Sequence, residues 1–319
     1  MVDKDAEQGE LGYVSKALQL TPPINNYQDM EGKKQFGIML YTRANYTSIT
    51  DPATGWRKTI YIKNGKMDDI KKEFLEKFSE FGFDGKDYYF DYTEANAGHP
   101  WRMYSGKDGK SLTRFQNYKQ KTKDGNKQVT KWVSEQIDVV EILDKLFADF
   151  DRTISFKAQI EQGVELKRID GRNETAWHSL RYALNMIQQI RNSGRKQSDD
   201  NFLCSPVRIN DEHFDTRKCT TNGELSEIKD ADANGAYNIA RKGLIMDAHI
   251  KHWIAQGRPT YKKDDKDTPD LDLFVSDREW DLWLLGKEQW RRELPIFASR
   301  SAKEGDTSSK ARRNRKKKR

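Results

Sequence analysis

Two carboxylates stand two residues apart in Asp230-Ala231-Asp232-Ala233-Asn234-Gly235-Ala236-Tyr237-Asn238-Ile239-Ala240. Behind them Ala233, Ala236, Ile239, Ala240 and Gly243 form a run of small and apolar residues at helical spacing, so the acids fall at the start of a helix. The positive end of the helix dipole favours negative charge there. One outcome is a capped helix, with Asp230 or Asp232 accepting from the first free amides. The other is chemistry, with one of the two acids a Mg²⁺ ligand in a nuclease site, since Mg²⁺ selects oxygen donors. Spacing alone leaves both open.

A second candidate is Arg191. Glu174 to Ser193 reads as a helix whose apolar stripe is Trp177, Leu180, Leu184 and Ile187, and Arg191 is the next position on it. A guanidinium closing a buried stripe needs a partner. It either extends its stem along the stripe toward water or the helix C-terminus, or clamps a phosphate or carboxylate. Cys204 and Cys219 lack the paired C-x-x-C spacing of a structural zinc site. Two cysteines also give no disulfide framework, which fits a reducing compartment.

Several elements are expected to position these groups. Phe36 to Tyr41 is a continuous apolar run of strand length. Asp51-Pro52-Ala53-Thr54-Gly55 has turn chemistry, and Trp56 to Ile62 follows as a strand to give a hairpin-like unit. Met67 to Phe81 is a helix with Ile70, Phe74, Phe78 and Phe81 on one stripe. Asp87 to Thr93, Ser111 to Phe115 and Gln128 to Val133 are strands, with Lys119 to Lys127 a basic, glycine-containing loop. Ile137 to Phe150 is an amphipathic helix with Val140, Leu143, Leu146 and Phe147 inward. The middle third is therefore α+β. The helix after Asp232 runs to about Trp253, and residues 256–271 form a polar linker. Ser276-Asp277-Arg278-Glu279 is a capping box opening a helix with Trp280, Trp283, Leu284 and Trp290.

Length and composition bound the rest. A chain of 319 residues has room for two domains. Charged residues make up 34% and the mean hydropathy is −0.97, yet 8 Trp, 13 Tyr and 14 Phe exclude a wholly disordered chain. The net charge is +7, but residues 310–319 hold eight Lys or Arg and no acid. Without them 49 basic residues face 50 acidic ones, so the basic character sits in the tail. Such a tail binds phosphates by releasing counterions, without sequence preference. No apolar run reaches membrane-spanning length and the N-terminus lacks a signal-peptide core. The expected location is cytoplasmic.

Five pieces in order carry a resemblance: Leu18-Gln19-Leu20-Thr21-Pro22; Gly37 to Tyr41 followed by Tyr46-Thr47-Ser48 and Asp51 to Gly55; Gln189-Ile190-Arg191-Asn192-Ser193; Ser205-Pro206-Val207-Arg208 with Phe214-Asp215-Thr216-Arg217; and Asp230 to Tyr237. Together they resemble the C-terminal part of a type V-A CRISPR effector, the RNA-guided DNA endonuclease family Cas-twelve-a. The resemblance spans most of residues 12–293 and is loosest over 94–170 and the terminal helix.

It implies an α+β chain: the C-terminal portion of a split RNase H-like (RuvC) α/β domain with an inserted α+β Nuc domain. The implied boundaries are 1–42 for the end of RuvC segment II, 43–228 for Nuc, 229–300 for RuvC segment III and 301–319 for a disordered basic tail. Asp232 matches the third catalytic, metal-binding carboxylate, with Asp230 a cap or supporting group. Arg191 matches the arginine that guides the target strand, and Ser193 a polar residue of that loop. A further family aspartate falls at Asn201 or Asp200, where the pattern departs. The implied cofactor is Mg²⁺. The implied partners are both DNA strands and, through the rest of the effector, a guide crRNA that carries sequence specificity.

Two-metal phosphodiester hydrolysis needs several carboxylates around ions about 3.5–4 Å apart. The family's other two acids lie in segments resembling I-D-R-G and F-E-D-L, and neither string occurs here. The expectation is a nuclease portion that is inactive by itself and acts with the other RuvC segments and guide RNA. The alternative is a catalytically inactive nucleic-acid-binding remnant, working through its tail and Nuc surface. A third reading recruits Asp149 and Asp151 as the missing acids, in a stretch with no matching motif.

Overall fold

The computed structural model describes residues 42, 44–106, 113–124, 127–170, 175–192, 202–217, 225, 227–256 and 275–292. Expectations for Phe36 to Tyr41, Ser193, Asp200, Asn201, Cys219, the linker from residue 257 on and the tail lie outside these residues. The chain divides into two compact units, one of Ala44–Asn238 with Asp281–Lys287, the other of Met1–Arg43, Ile239–Trp280 and Glu288–Arg319.

The first unit is α+β, as expected. Helix α1 (Met67–Lys77) leads into strands β1 (Glu80–Phe83), β2 (Tyr88–Thr93) and β3 (Pro100–Tyr104), an antiparallel meander. A two-stranded ribbon follows, β4 (Thr113–Asp124) against β5 (Lys127–Asp138). Helices α2 (Val139–Leu146), α3 (Phe156–Glu161) and α4 (Ala176–Ile187) come next. A third antiparallel sheet, β6 (Arg191–Asn192), β7 (Phe202–Ile209) and β8 (Glu212–Asp215), completes the order before helix α5 (Ala231–Ala255).

An aromatic core holds this unit. Ile70, Phe74, Phe78 and Phe81 are all buried, as their spacing predicts. The helix nonetheless stops at Lys77 rather than Phe81, because the amide of Ser79 donates to the Asp91 carbonyl (2.9 Å) and the chain enters the meander. Phe74 packs edge-on to Phe81, and Phe147 lies 4.5 Å from Phe156, ring centre to ring centre. The helix predicted over Ile137 to Phe150 is shorter, Val139–Leu146. Asp138 caps it, accepting from the amides of Val140 and Glu141 (2.9 and 3.1 Å), while Ile137 still pairs in β5.

Three sequence expectations are corrected. Trp56 to Ile62 is not a strand, because side chains from other elements take the place of a ladder. The Arg181 Nε donates to the Ile62 carbonyl (3.0 Å) and the Lys77 Nζ to that of Tyr61 (2.5 Å), while the Trp56 Nε1 donates to the Tyr92 hydroxyl (2.7 Å). Residues 119–124 are not a loop but the outer part of β4. Arg191 is not on a helix: α4 ends at Ile187, and Arg191 opens β6, opposite Leu203.

The turn at 51–55 forms as read. The Asp51 carboxylate accepts from the Ala53 amide (2.8 Å) and the Thr54 hydroxyl (2.6 Å), and the Gly55 amide donates to the Asp51 carbonyl (2.9 Å). Gly55 has φ +78°, and a Cβ there would lie 2.8 Å from the Leu284 Cβ. The left-handed backbone costs an L-residue about 1–2 kcal/mol, and forced overpacking about 1–3 kcal/mol more. Gly55→Ala is therefore expected to lower unfolding free energy by about 2–5 kcal/mol, read by urea titration.

In the second unit, α5 contributes Ile245, Met246 and His249 to the interior. Helix α6 (Asp277–Leu284) starts as the capping box predicts, with the Glu279 amide donating to the Ser276 Oγ (3.1 Å). The other half of that motif is diverted: the Glu279 carboxylate meets the His249 Nε2 at 2.5 Å, both side chains buried. Trp280 is on α6 and fully buried, whereas Trp290 lies beyond its end in a 3-10 turn (Glu288–Arg292).

Candidate active site

The local sequence at the start of α5 separates the roles of the two acids. Asp230 caps the helix: its Oδ1 accepts from the amides of Asp232 (3.0 Å) and Ala233 (2.8 Å), and the Asn234 amide donates to its carbonyl (3.1 Å). Asp232 lies in the first turn and is exposed, and its carboxylate has no hydrogen bond or ion pair among the described residues. It therefore presents an anionic oxygen pair to solvent at the positive end of a 25-residue helix.

Two asparagines one turn apart fix this end of the helix. Asn234 and Asn238 are both fully buried. The Asn234 Nδ2 donates to the Thr50 carbonyl (2.9 Å), the Asn238 Nδ2 to the Thr47 carbonyl (2.9 Å) and to the Asn234 Oδ1 (3.0 Å). They satisfy carbonyls around the 3-10 turn Thr47–Ile49, which would otherwise be buried without donors. The small residues matter less than their pattern suggests. A Cβ on Gly235 would sit 3.6 Å from that of Ser48, ordinary contact, so asparagine hydrogen bonds rather than a close backbone approach hold the helix here.

Asp51 is close to this anchor in sequence but is not a free acid. It is fully buried, and burial raises its carboxyl above the ordinary carboxylate range, opposed by hydrogen bonds from Thr54, Ser205 and Ala53. Its oxygens serve the turn. Asp149 and Asp151 do not supply further ligands either: Asp149 pairs with Lys167 (3.4 Å), and Asp151 accepts from the amide and hydroxyl of Thr153.

Arg191 is exposed, while its neighbour Asn192 is fully buried, the alternation of a strand. The Asn192 Nδ2 donates to the Gln189 and Ile190 carbonyls (both 3.3 Å), and the Cys204 amide to the Ile190 carbonyl (2.9 Å). This pins the backbone beneath Arg191. Its guanidinium has no hydrogen bond or ion pair among the described residues, so the burial problem posed by a helical stripe does not arise. Arg191 and Asp232 share a compact unit, and no hydrogen bond or ion pair joins them among the described residues.

The arginines of the other motif stretches are already engaged. Arg208 bonds Asp87 and His213 and lies over the Tyr104 ring; Arg217 forks onto Asp215 (2.9 and 2.7 Å) and over Phe202. Their guanidinium groups are taken up within the fold. Cys204 is buried in β7.

The family model for the RuvC nuclease domain matches residues 1–284. The chain therefore belongs to the RuvC nuclease domain family. Its class is that of nucleases, hydrolases of nucleic-acid phosphodiester bonds, and RuvC nucleases generally use divalent metals such as Mg²⁺. Asp232 suits such an ion in donor chemistry and exposure. Among the described residues, however, no three His, Cys, Asp or Glu side chains are placed to hold a metal ion. The described donor set does not by itself make a two-metal centre. No helix among the described residues is long and apolar enough to cross a membrane.

Proposed function

We propose that this chain is the Asp232-bearing nuclease portion of an RNA-guided DNA endonuclease of the type V-A CRISPR class. In this reading it acts in the cytoplasm on target DNA, with guide RNA and Mg²⁺. Asp232 supplies one metal ligand, and the remaining carboxylates come from RuvC segments whose motifs this sequence does not contain. Arg191 meets a backbone phosphate of the target strand and steers it, with Ser193 beside it. The observation that carries the reading is the division of labour at the start of α5. Asp230 does the capping, which leaves Asp232 an exposed carboxylate with no structural task, inside the stretch matched to a RuvC nuclease domain.

The test is reconstitution with the other RuvC segments and guide RNA, then cleavage of end-labelled duplex DNA in Mg²⁺. Guide-dependent cuts that disappear in Asp232→Ala support the proposal. A wild-type assembly that binds DNA and never cuts it favours the catalytically inactive binding remnant instead.

Arg191→Ala is expected to slow target-strand cutting about 10–100-fold, the worth of one charge-assisted hydrogen bond of about 1.5–3 kcal/mol. Non-target-strand cutting should change less. Strand-resolved cleavage rates check this, and equal loss on both strands would remove the steering role.

A further inference from the structure

Three asparagine–glycine pairs occur in the chain, Asn64-Gly65, Asn222-Gly223 and Asn234-Gly235. Asparagine is a thermolabile residue, because its side-chain amide carbon can be reached by the next main-chain nitrogen. A glycine in that next position has no Cβ to obstruct the approach and leaves the backbone free to turn. Asn234-Gly235 is nonetheless closed to this chemistry. It lies inside α5, so the Gly235 amide belongs to the helix ladder. The Asn234 side chain is fully buried, its Nδ2 donating to the Thr50 carbonyl (2.9 Å) and its Oδ1 accepting from Asn238 (3.0 Å). Asn222-Gly223 lies outside the described residues.

Asn64-Gly65 has neither protection. Both residues are exposed, in the irregular stretch that leads into α1. Among the described residues the Asn64 side chain makes no hydrogen bond, and the Gly65 amide donates to nothing. The main chain around them is gripped by side chains of α1 and α4. The Glu73 carboxylate accepts from the Lys63 amide, the Arg181 Nε donates to the Ile62 carbonyl, and the His178 Nε2 donates to the Gly65 carbonyl, each at 3.0 Å. His178 is tied in turn through its Nδ1 to the hydroxyl of Thr175 (2.7 Å), the residue that caps α4. These clamps hold the oxygen of Gly65 and leave its nitrogen open to solvent.

We propose that Asn64 is a site of spontaneous deamidation in the folded protein, and that its isoaspartyl product frees the Gly65 carbonyl from His178. Hydroxide takes the proton of the Gly65 nitrogen, which attacks the Asn64 Cγ. The N–Cγ bond forms and the Cγ–Nδ2 bond breaks, and the side-chain nitrogen takes a proton back from water and leaves as ammonia. Water then opens the resulting cyclic imide. Breaking its new N–Cγ bond gives aspartate, and breaking its bond from the Gly65 nitrogen to the Asn64 main-chain carbonyl carbon gives isoaspartate. Only water enters and only ammonia leaves, with no change of oxidation state. Either product adds a negative charge between Lys63 and Lys66 in the sequence. Isoaspartate also inserts the Cβ methylene into the main chain between the Glu73 and His178 clamps, which moves the Gly65 carbonyl off His178. The proposal is independent of any role of Asp232 or Arg191.

The test incubates the full chain in neutral and in mildly alkaline buffer, folded and in parallel unfolded in guanidinium. Peptides carrying Asn64 and Asn234 are followed by mass and by fragmentation that separates aspartate from isoaspartate. In the folded chain Asn64 is expected to convert, faster as hydroxide rises, while Asn234 keeps its amide and converts only in the unfolded sample. Gly65→Ala is expected to lose the conversion at Asn64. A Cβ there would lie no closer than 3.6 Å to its nearest neighbour, the Asp69 carboxylate, so the fold accommodates it. Asn64→Gln, whose longer side chain closes the ring poorly, should likewise stay unconverted and is a second variant on the exposed side. The isoaspartyl fraction, separated by its added charge, should unfold at a lower denaturant midpoint than the unmodified chain. An Asn64 that keeps its amide in the folded chain while unfolded Asn234 converts overturns the proposal. So does folded Asn234 converting as fast as Asn64, or Gly65→Ala converting as fast as the wild type. An isoaspartyl fraction as stable as the unmodified chain overturns the release from His178.

Discussion

Asp232→Ala is expected to reduce cleavage by the reconstituted nuclease more than about 100-fold, beyond what the loss of outer partners of a metal site costs. Folding should hardly notice. The side chain is exposed and bonded to nothing among the described residues. Removing it forfeits only the favourable placement of a negative charge at a helix start, about 0.3–1 kcal/mol. Asp230→Ala should behave in the opposite way. It deletes the acceptor for two first-turn amides, at 3.0 and 2.8 Å. The loss of an aspartate cap costs about 1 kcal/mol of stability, while the carboxylate of Asp232 remains. Paired measurements of cleavage rate and denaturant midpoint on the two variants separate a ligand from a cap. If Asp230→Ala removed activity and Asp232→Ala spared it, the assignment of the two acids would be reversed.

Asp281→Ala is expected to be the most destabilising single change in the first unit. Arg57 forks onto Asp281 with Nε–Oδ1 and Nη2–Oδ2 both at 2.7 Å, and the two side chains are 7% and 6% exposed. Asp281 also accepts from the Asn96 Nδ2 at 2.6 Å, and the Arg57 guanidinium lies over the Tyr46 ring. Removing the carboxylate takes the forked acceptor from the buried Arg57 cation and an acceptor from the half-buried Asn96 amide. Breaking such a pair from one side costs about 3–5 kcal/mol. That figure is the penalty of a stranded charge and not the net worth of the pair, because an ion pair sealed from water gives back much of its Coulomb energy as lost hydration. Arg57→Met/Asp281→Leu, which removes both charges, should therefore recover much of the loss in a urea titration. A double variant as unstable as Asp281→Ala would point to shape rather than charge.

How legible was this in the sequence? The aromatic stripe of α1 and the stripe Trp177, Leu180, Leu184 and Ile187 were readable because burial follows the helical repeat, and all of these residues are buried. The 51–55 turn was readable because aspartate, proline and glycine have local conformational preferences. The ends of elements were not readable, since they depend on long-range pairing. The stripe ran on to Arg191 only by arithmetic, while pairing of Arg191 and Asn192 with Leu203 and Phe202 ended the helix earlier. The ribbon is only partly legible because polar, lysine-rich strands lack the apolar alternation that marks a half-buried sheet.

At the candidate site, the two acids were legible as a pair, but their roles were open until the hydrogen bonds gave Asp230 the amides. The asparagine pair had a faint signal, two amides four residues apart on a helix face of small and apolar residues. The Arg57–Asp281 pair had none, its members standing 224 positions apart.

The central claim is that Asp232 is one metal ligand of a RuvC nuclease centre that needs carboxylates from beyond this sequence. It is tested most directly by cleavage of end-labelled DNA in Mg²⁺ or Mn²⁺, comparing the chain by itself with the chain reconstituted with the other RuvC segments and guide RNA, each as wild type and Asp232→Ala. The predicted result is cutting by the reconstituted wild type alone. Cutting by the chain by itself that Asp232→Ala abolishes, or guide-dependent cutting that survives Asp232→Ala, would contradict it.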